Sequence, residues 1–167
     1  VYSGIFGAVM ASLPQIKTQM VVFDTEVVDL TEDLKDPVEL LFGVQLGGGT
    51  DINKALKYCQ TIISKPDDTI LVMITDLCEG GDETQMRKRI EELIGEGVQV
   101  ICLLALDDSG APYFDTHNAK FLANLGVPVF ACTPDIFPDM MAAAISKQDM
   151  AQWAGDNDIV LKGAKGQ

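Results

Sequence analysis

The residues that could do chemistry are Gln45-Leu46-Gly47-Gly48-Gly49-Thr50-Asp51 and the aspartate Asp76, which closes the apolar run Thr69–Thr75. Their functional atoms are oxygens: the Thr50 hydroxyl, the Asp51 and Asp76 carboxylates, and carbonyls exposed along Gly47, Gly48 and Gly49. Oxygen donors suit a hard cation such as Mg²⁺, which takes about six of them and keeps several as water. Consecutive glycines weaken any helix or strand, because glycine loses the most backbone entropy on ordering. A chain that carries them is bringing its backbone close to something.

A phosphate is the rival ligand. A P-loop would require a lysine directly after the glycines, yet Lys54 falls inside the next helix; a dinucleotide fingerprint would require glycine where Ile52 stands. The sober alternatives concern the same residues. Thr50 could merely cap the helix that starts near Asp51, and Asp76 could make a local Asx turn. Cys78 reads as a small half-buried residue, since no basic neighbour lowers its pKa. His117 reads as a helix-surface residue, and the acidic run Asp24–Glu39 as a solvated hairpin tip.

These residues need elements to position them. Apolar spacing predicts a helix over Tyr2–Leu13, ended by Pro14. "QMVVF" and "VVDLT", separated by Asp24-Thr25-Glu26, predict an antiparallel hairpin. A short helix follows at Val38–Phe42, and Ile52, Ala55, Leu56, Cys59, Ile62 and Ile63 mark one face of a longer one. "TILVMIT", "VQVICLLAL" and "VPVFACT" are strands apolar on both faces, as in a covered parallel sheet. Helices are expected between and after them, around Met86–Ile94, at Phe114–Leu125 and at Asp135–Ser146. Strands alternating with helices define parallel β-α-β units. The expected fold is therefore α/β and doubly wound, a mainly parallel sheet with an antiparallel edge hairpin. One domain over residues 1–146 is expected, with 147–167 a weakly patterned tail, open to partial disorder or to an edge strand at "DIVLK".

Bulk composition narrows the function classes. The 167 residues carry 25 acidic and 12 basic side chains, a net charge of -13. Such a surface repels a phosphate backbone, so no nucleic-acid partner is expected; it suits basic partners or cations. No apolar run reaches the roughly 20 residues that span a bilayer. Cys59, Cys78, Cys102 and Cys132 form no C-x-x-C pair, which argues against zinc and for a reducing, cytoplasmic setting. The chain starts at Val1, which points to a fragment or a processed product.

"VVFDTEVVDLT", "GGGTDINKAL", "ILVMITD" and "GVQVICLLAL" together resemble a von Willebrand factor A-type (vWA) domain, in wording similar to bacterial CoxE-like vWA proteins that accompany MoxR-type AAA+ ATPases. The resemblance covers about Val1 to Ser146. It implies a vWA/Rossmann-like fold and a metal-ion-dependent adhesion site. Thr50 matches that site's threonine and Asp76 its aspartate, with Gly47, Gly48, Gly49 and Asp51 in the site loop. The implied cofactor is Mg²⁺ (or Mn²⁺), with one coordination position left for a carboxylate from a protein partner, for which the resemblance suggests a MoxR-type ATPase. The implied role is a non-enzymatic adaptor in maturation or remodelling of a protein complex. The family's Asp-x-Ser-x-Ser motif does not occur in this chain, and with it the family's first strand is expected to be missing. Metal binding by this chain alone is accordingly expected to be weak or absent. Two other functions stay open: a nucleotide- or phosphate-binding α/β enzyme, and a metal-free vWA-like binding domain.

Overall fold

The computed structural model describes residues 16–32, 49–104, 113–131, 133 and 135–162. The expected helices at Tyr2–Leu13 and Val38–Phe42, and the site-loop residues Gly47 and Gly48, lie outside the described residues. The chain divides into two compact units, one of residues 1–62 with 79–89, the other of residues 63–78 with 90–167.

In the first unit, β1 (Val21–Phe23) pairs antiparallel with β2 (Val27–Asp29) as a two-stranded sheet of its own, with Val22 opposite Val28. The turn between them is Asp24–Glu26, where the β-branched runs break. Asp24 Oδ1 accepts the Glu26 N–H there, the local bond that favours aspartate in turns. Helix α1 (Ile52–Ile62) buries Ile52, Ala55 and Leu56, the expected apolar face at helical spacing. The hairpin tip is not simply solvated. Lys54 of α1 donates to the Thr25 carbonyl at 2.8 Å and pairs with Glu26 at 3.1 Å, while Tyr58 donates to Asp29 Oδ2 at 2.6 Å.

The second unit holds a parallel sheet in the order β3 (Ile70–Thr75), β4 (Gln99–Leu104), β5 (Val129–Ala131). Ile70 sits opposite Gln99 and Thr75 opposite Leu104, so β3 and β4 end level. Cys102 pairs with Val129 on the other side. β4 is buried from Val100 to Leu104, as a central strand covered on both faces must be.

Helix α2 (Glu83–Gly95) links the two, residues 83–89 belonging to the first unit and 90–95 to the second. Glu83 and Arg87 form an ion pair one turn apart, acid toward the N-terminus, the favourable order for the helix dipole. Gly97, at φ +104°, then reverses the chain into β4. Helix α3 (Thr116–Asn124) is shorter than expected because Asp115 caps it, its carboxylate accepting the Asn118 N–H at 2.8 Å. His117 is exposed on it.

Helix α4 (Phe137–Ile145) buries Phe137, Met140, Met141, Ala143 and Ala144. Residues 147–162, read from the sequence as a weakly patterned tail, fold. Asp149 caps α5 (Met150–Asp156), and the Trp153 ring lies 6.0 Å from that of Phe130 in β5. Beyond α5 the segment "DIVLK" forms no strand, but Lys162 N–H donates to the Val129 carbonyl at 2.7 Å.

Candidate functional site

The loop around Thr50 is built within the first unit. Asp51, not Thr50, caps α1: its Oδ1 accepts the Lys54 N–H at 2.8 Å. An N-cap of this type contributes about 1 kcal/mol. A second carboxylate reaches the same helix end. Glu79 accepts the Ile52 N–H at 3.2 Å through Oε1 and the Asn53 N–H at 2.8 Å through Oε2. Oε1 also takes the Gly81 N–H at 2.6 Å. The Asp51 N–H donates to the Asp24 carbonyl at 2.8 Å. Every main-chain donor from Asp51 to Lys54 is therefore engaged.

This arrangement decides what the loop can bind. A helix N-terminus attracts phosphate through its unsatisfied N–H groups. Here two carboxylates already hold them, and their negative charge repels an incoming anion. Thr50 adds a hydroxyl oxygen to this loop.

Beside Thr50 and Asp51, the described glycines that make a close approach are Gly80 and Gly81, in the polar segment that follows Asp76. Gly80 N–H donates to the Thr50 carbonyl at 2.7 Å, and a Cβ on Gly80 would stand 2.7 Å from that same oxygen. A Cβ on Gly81 would come within 2.9 Å of the Asp51 carboxylate. At Gly49 an added Cβ would only touch the Thr25 methyl at 3.9 Å, an ordinary contact.

Asp76 is built separately, in the second unit, directly after the last residue of β3. Its Oδ1 accepts the Cys78 N–H at 3.0 Å, so the Asx turn foreseen as the sober alternative is present. Between them Leu77 is fully buried and adopts φ +63°. The left-handed region costs a residue with a Cβ roughly 1–2 kcal/mol. Three hydrogen bonds offset that cost, each contributing about 1 kcal/mol net. The Thr75 hydroxyl oxygen accepts the Leu77 N–H at 3.1 Å. Asn118 Nδ2 donates to the Leu77 carbonyl at 3.1 Å, and the Asp115 N–H to the Asp76 carbonyl at 2.9 Å. Thr75 and Asn118 are the buried polar residues of the described chain, and both serve this turn.

The thiols of Cys59, Cys78 and Cys102 are not activated. Burial pushes Cys102 up to about 12 and, with Asp29 adding to it, Cys59 up to about 11. Cys78 is raised by burial and then by the negative charges of Asp76 and Asp115. None of these three described cysteines is an activated thiolate near neutral pH. Among the described residues no three His, Cys, Asp or Glu side chains gather as a metal cage. The Thr50 hydroxyl in the first unit and the Asp76 carboxylate in the second are each oxygen donors of the type that Mg²⁺ takes. No helix of the described residues is long and apolar enough to cross a membrane.

The family described as VWA domain containing CoxE-like protein matches residues 1–141. This chain belongs to that family. Among CoxE-like relatives, the uncharacterized protein YehP of Escherichia coli (strain K12) is 36% identical over 157 residues. That match takes in 94% of this chain and 38% of YehP, so the chain spans well under half the length of that relative. The fold of this CoxE-like domain is shared with the crystal structure of an aerotolerance-related membrane protein from Bacteroides fragilis NCTC 9343 carrying multiple mutations to serines. The TM-score is 0.61 at 14% identity, over 90% of this chain and 86% of the other. The likeness at that identity establishes architecture alone.

Proposed function

We propose that this vWA domain is a protein-binding adaptor and not an enzyme, and that it engages its partner through a divalent cation, Mg²⁺ or Mn²⁺, held with the help of Thr50 and Asp76. The observation that carries this reading is the closure of the α1 N-terminus by Asp51 and Glu79. It disfavours phosphate or nucleotide there and leaves oxygen chemistry at Thr50. The cation, when bound, supplies an open coordination position to a carboxylate of the partner. A chain of net charge -13 repels an acidic side chain unless a cation stands between them. Membership in the CoxE-like family supports a MoxR-type AAA+ ATPase as the partner, acting with this domain in the bacterial cytoplasm to mature or remodel a protein complex.

The test is an equilibrium binding measurement between the purified protein and the MoxR-type ATPase of the same bacterium, in Mg²⁺ and in EDTA. Binding that needs Mg²⁺ and disappears in Thr50→Ala supports the adhesion-site reading. A second reading is a metal-free binding surface on the same fold. Binding that survives both EDTA and Thr50→Ala would select it.

A further inference from the structure

We propose that Asn118 is the positioning residue of the Asp76 carboxylate, acting from α3 through the backbone of Leu77. The inference rests on the reading that Asp76 serves the cation. Asn118 is 1% exposed, a depth at which an amide is kept only when its hydrogen bonds are made. Its Nδ2 donates to the Leu77 carbonyl across 41 residues of sequence. Leu77 is the residue whose left-handed φ turns the chain between Asp76 and Cys78. That turn brings the Cys78 N–H onto Asp76 Oδ1, which orients the carboxylate. Asn118 is itself held in place, since its own N–H is fixed by the cap residue Asp115, whose N–H in turn holds the Asp76 carbonyl. The strained residue next to the candidate ligand and the buried amide that sustains it thus form one device. Partners that orient a metal ligand typically matter for affinity by ten- to a hundredfold.

The experiment uses Asn118→Leu, which keeps the side chain's shape and removes the donor. Two quantities are followed: Mn²⁺ affinity by electron paramagnetic resonance, and hydrogen exchange at the Cys78 amide. Circular dichroism and cooperative unfolding verify the fold. The expected result is Mn²⁺ binding weakened at least about tenfold, as in Asp76→Ala, with faster exchange at Cys78. A merely structural Asn118 would lower the melting temperature while leaving Cys78 exchange and Mn²⁺ affinity unchanged, and that result overturns the proposal. If the unaltered protein binds no Mn²⁺, the metal reading fails on its own. Cys78 exchange then decides the positioning role: faster in Asn118→Leu sustains it, unchanged rejects it. Should Asn118→Leu not fold, Asn118→Ala carries the same comparison.

Discussion

Gly80 donates its N–H to the Thr50 carbonyl at 2.7 Å, and a side chain on Gly80 would occupy the same space as that oxygen. The loop after β3 and the loop before α1 are thus in backbone contact, with no room for a methyl group between them.

Gly80→Ala should therefore destabilise the first unit by about 1–3 kcal/mol, the usual cost of forcing an extra methylene group into a filled space. The obstacle is backbone, so no side chain can swing aside. Gly81→Ala should cost less, since it meets the Asp51 carboxylate, which can rotate away at the expense of its cap, about 1 kcal/mol. Urea unfolding of both variants checks the order.

Glu79→Ala should release the Ile52, Asn53 and Gly81 N–H groups together. Hydrogen bonds to a charged acceptor contribute roughly 1.5–3 kcal/mol when buried. Glu79 is only half-buried, so a total near 2 kcal/mol is expected. Hydrogen exchange should quicken at the first turn of α1, and the free N–H groups should give that helix end a measurable affinity for inorganic phosphate. Phosphate binding in the unaltered protein would contradict the closed-terminus argument.

The bond from Tyr58 to Asp29 ties α1 to the hairpin within a window of pH. Burial raises the Asp29 pKa, but the hydrogen bonds from Thr31 and Tyr58 outweigh it, and the net shift is downward. The same bond raises the Tyr58 pKa, with burial and the Asp29 charge adding to it. A lowered acid contributes stability above its unfolded value, near 4, and loses it as pH falls through the folded value. A raised phenol contributes below about 10 and loses that contribution as pH rises further. Tyr58→Phe should flatten the stability profile at both ends while changing it little in slope near pH 7.

Trp153→Ala should destabilise the second unit by about 3–5 kcal/mol, the range for removing a large buried aromatic. Its ring packs against Phe130 of β5. A chain ended at Ser146 should lose cooperativity in thermal unfolding for the same reason. Unchanged melting in either case would mean that residues 147–162 do not contribute to that core.

Much of this architecture is written locally. The hairpin broken at Asp24–Glu26, the runs that become β3, β4 and β5, and the apolar face of α1 each follow from the order of neighbouring residues. So does the place of Asp76 at a strand end, and the family motifs around Thr50. Helix α5 escaped because its buried residues Met150, Trp153 and Ala154 span too few turns to show a period.

The roles of the site residues were decided by contacts between distant positions, which leave no periodic trace. Thr50 and Asp51 are neighbours, equally able to cap a helix; only the folded chain gives the cap to Asp51. The close approach of Gly80 and Gly81 to Thr50 and Asp51 exists only in the folded chain. Glu79 reaches Ile52 across 27 residues, and Asn118 reaches Leu77 across 41. Amino-acid order determines which segments form and which face of each is apolar, because those depend on neighbours along the chain. Tertiary structure alone decides which polar atoms meet, because a hydrogen bond depends on position in space and not on separation in sequence.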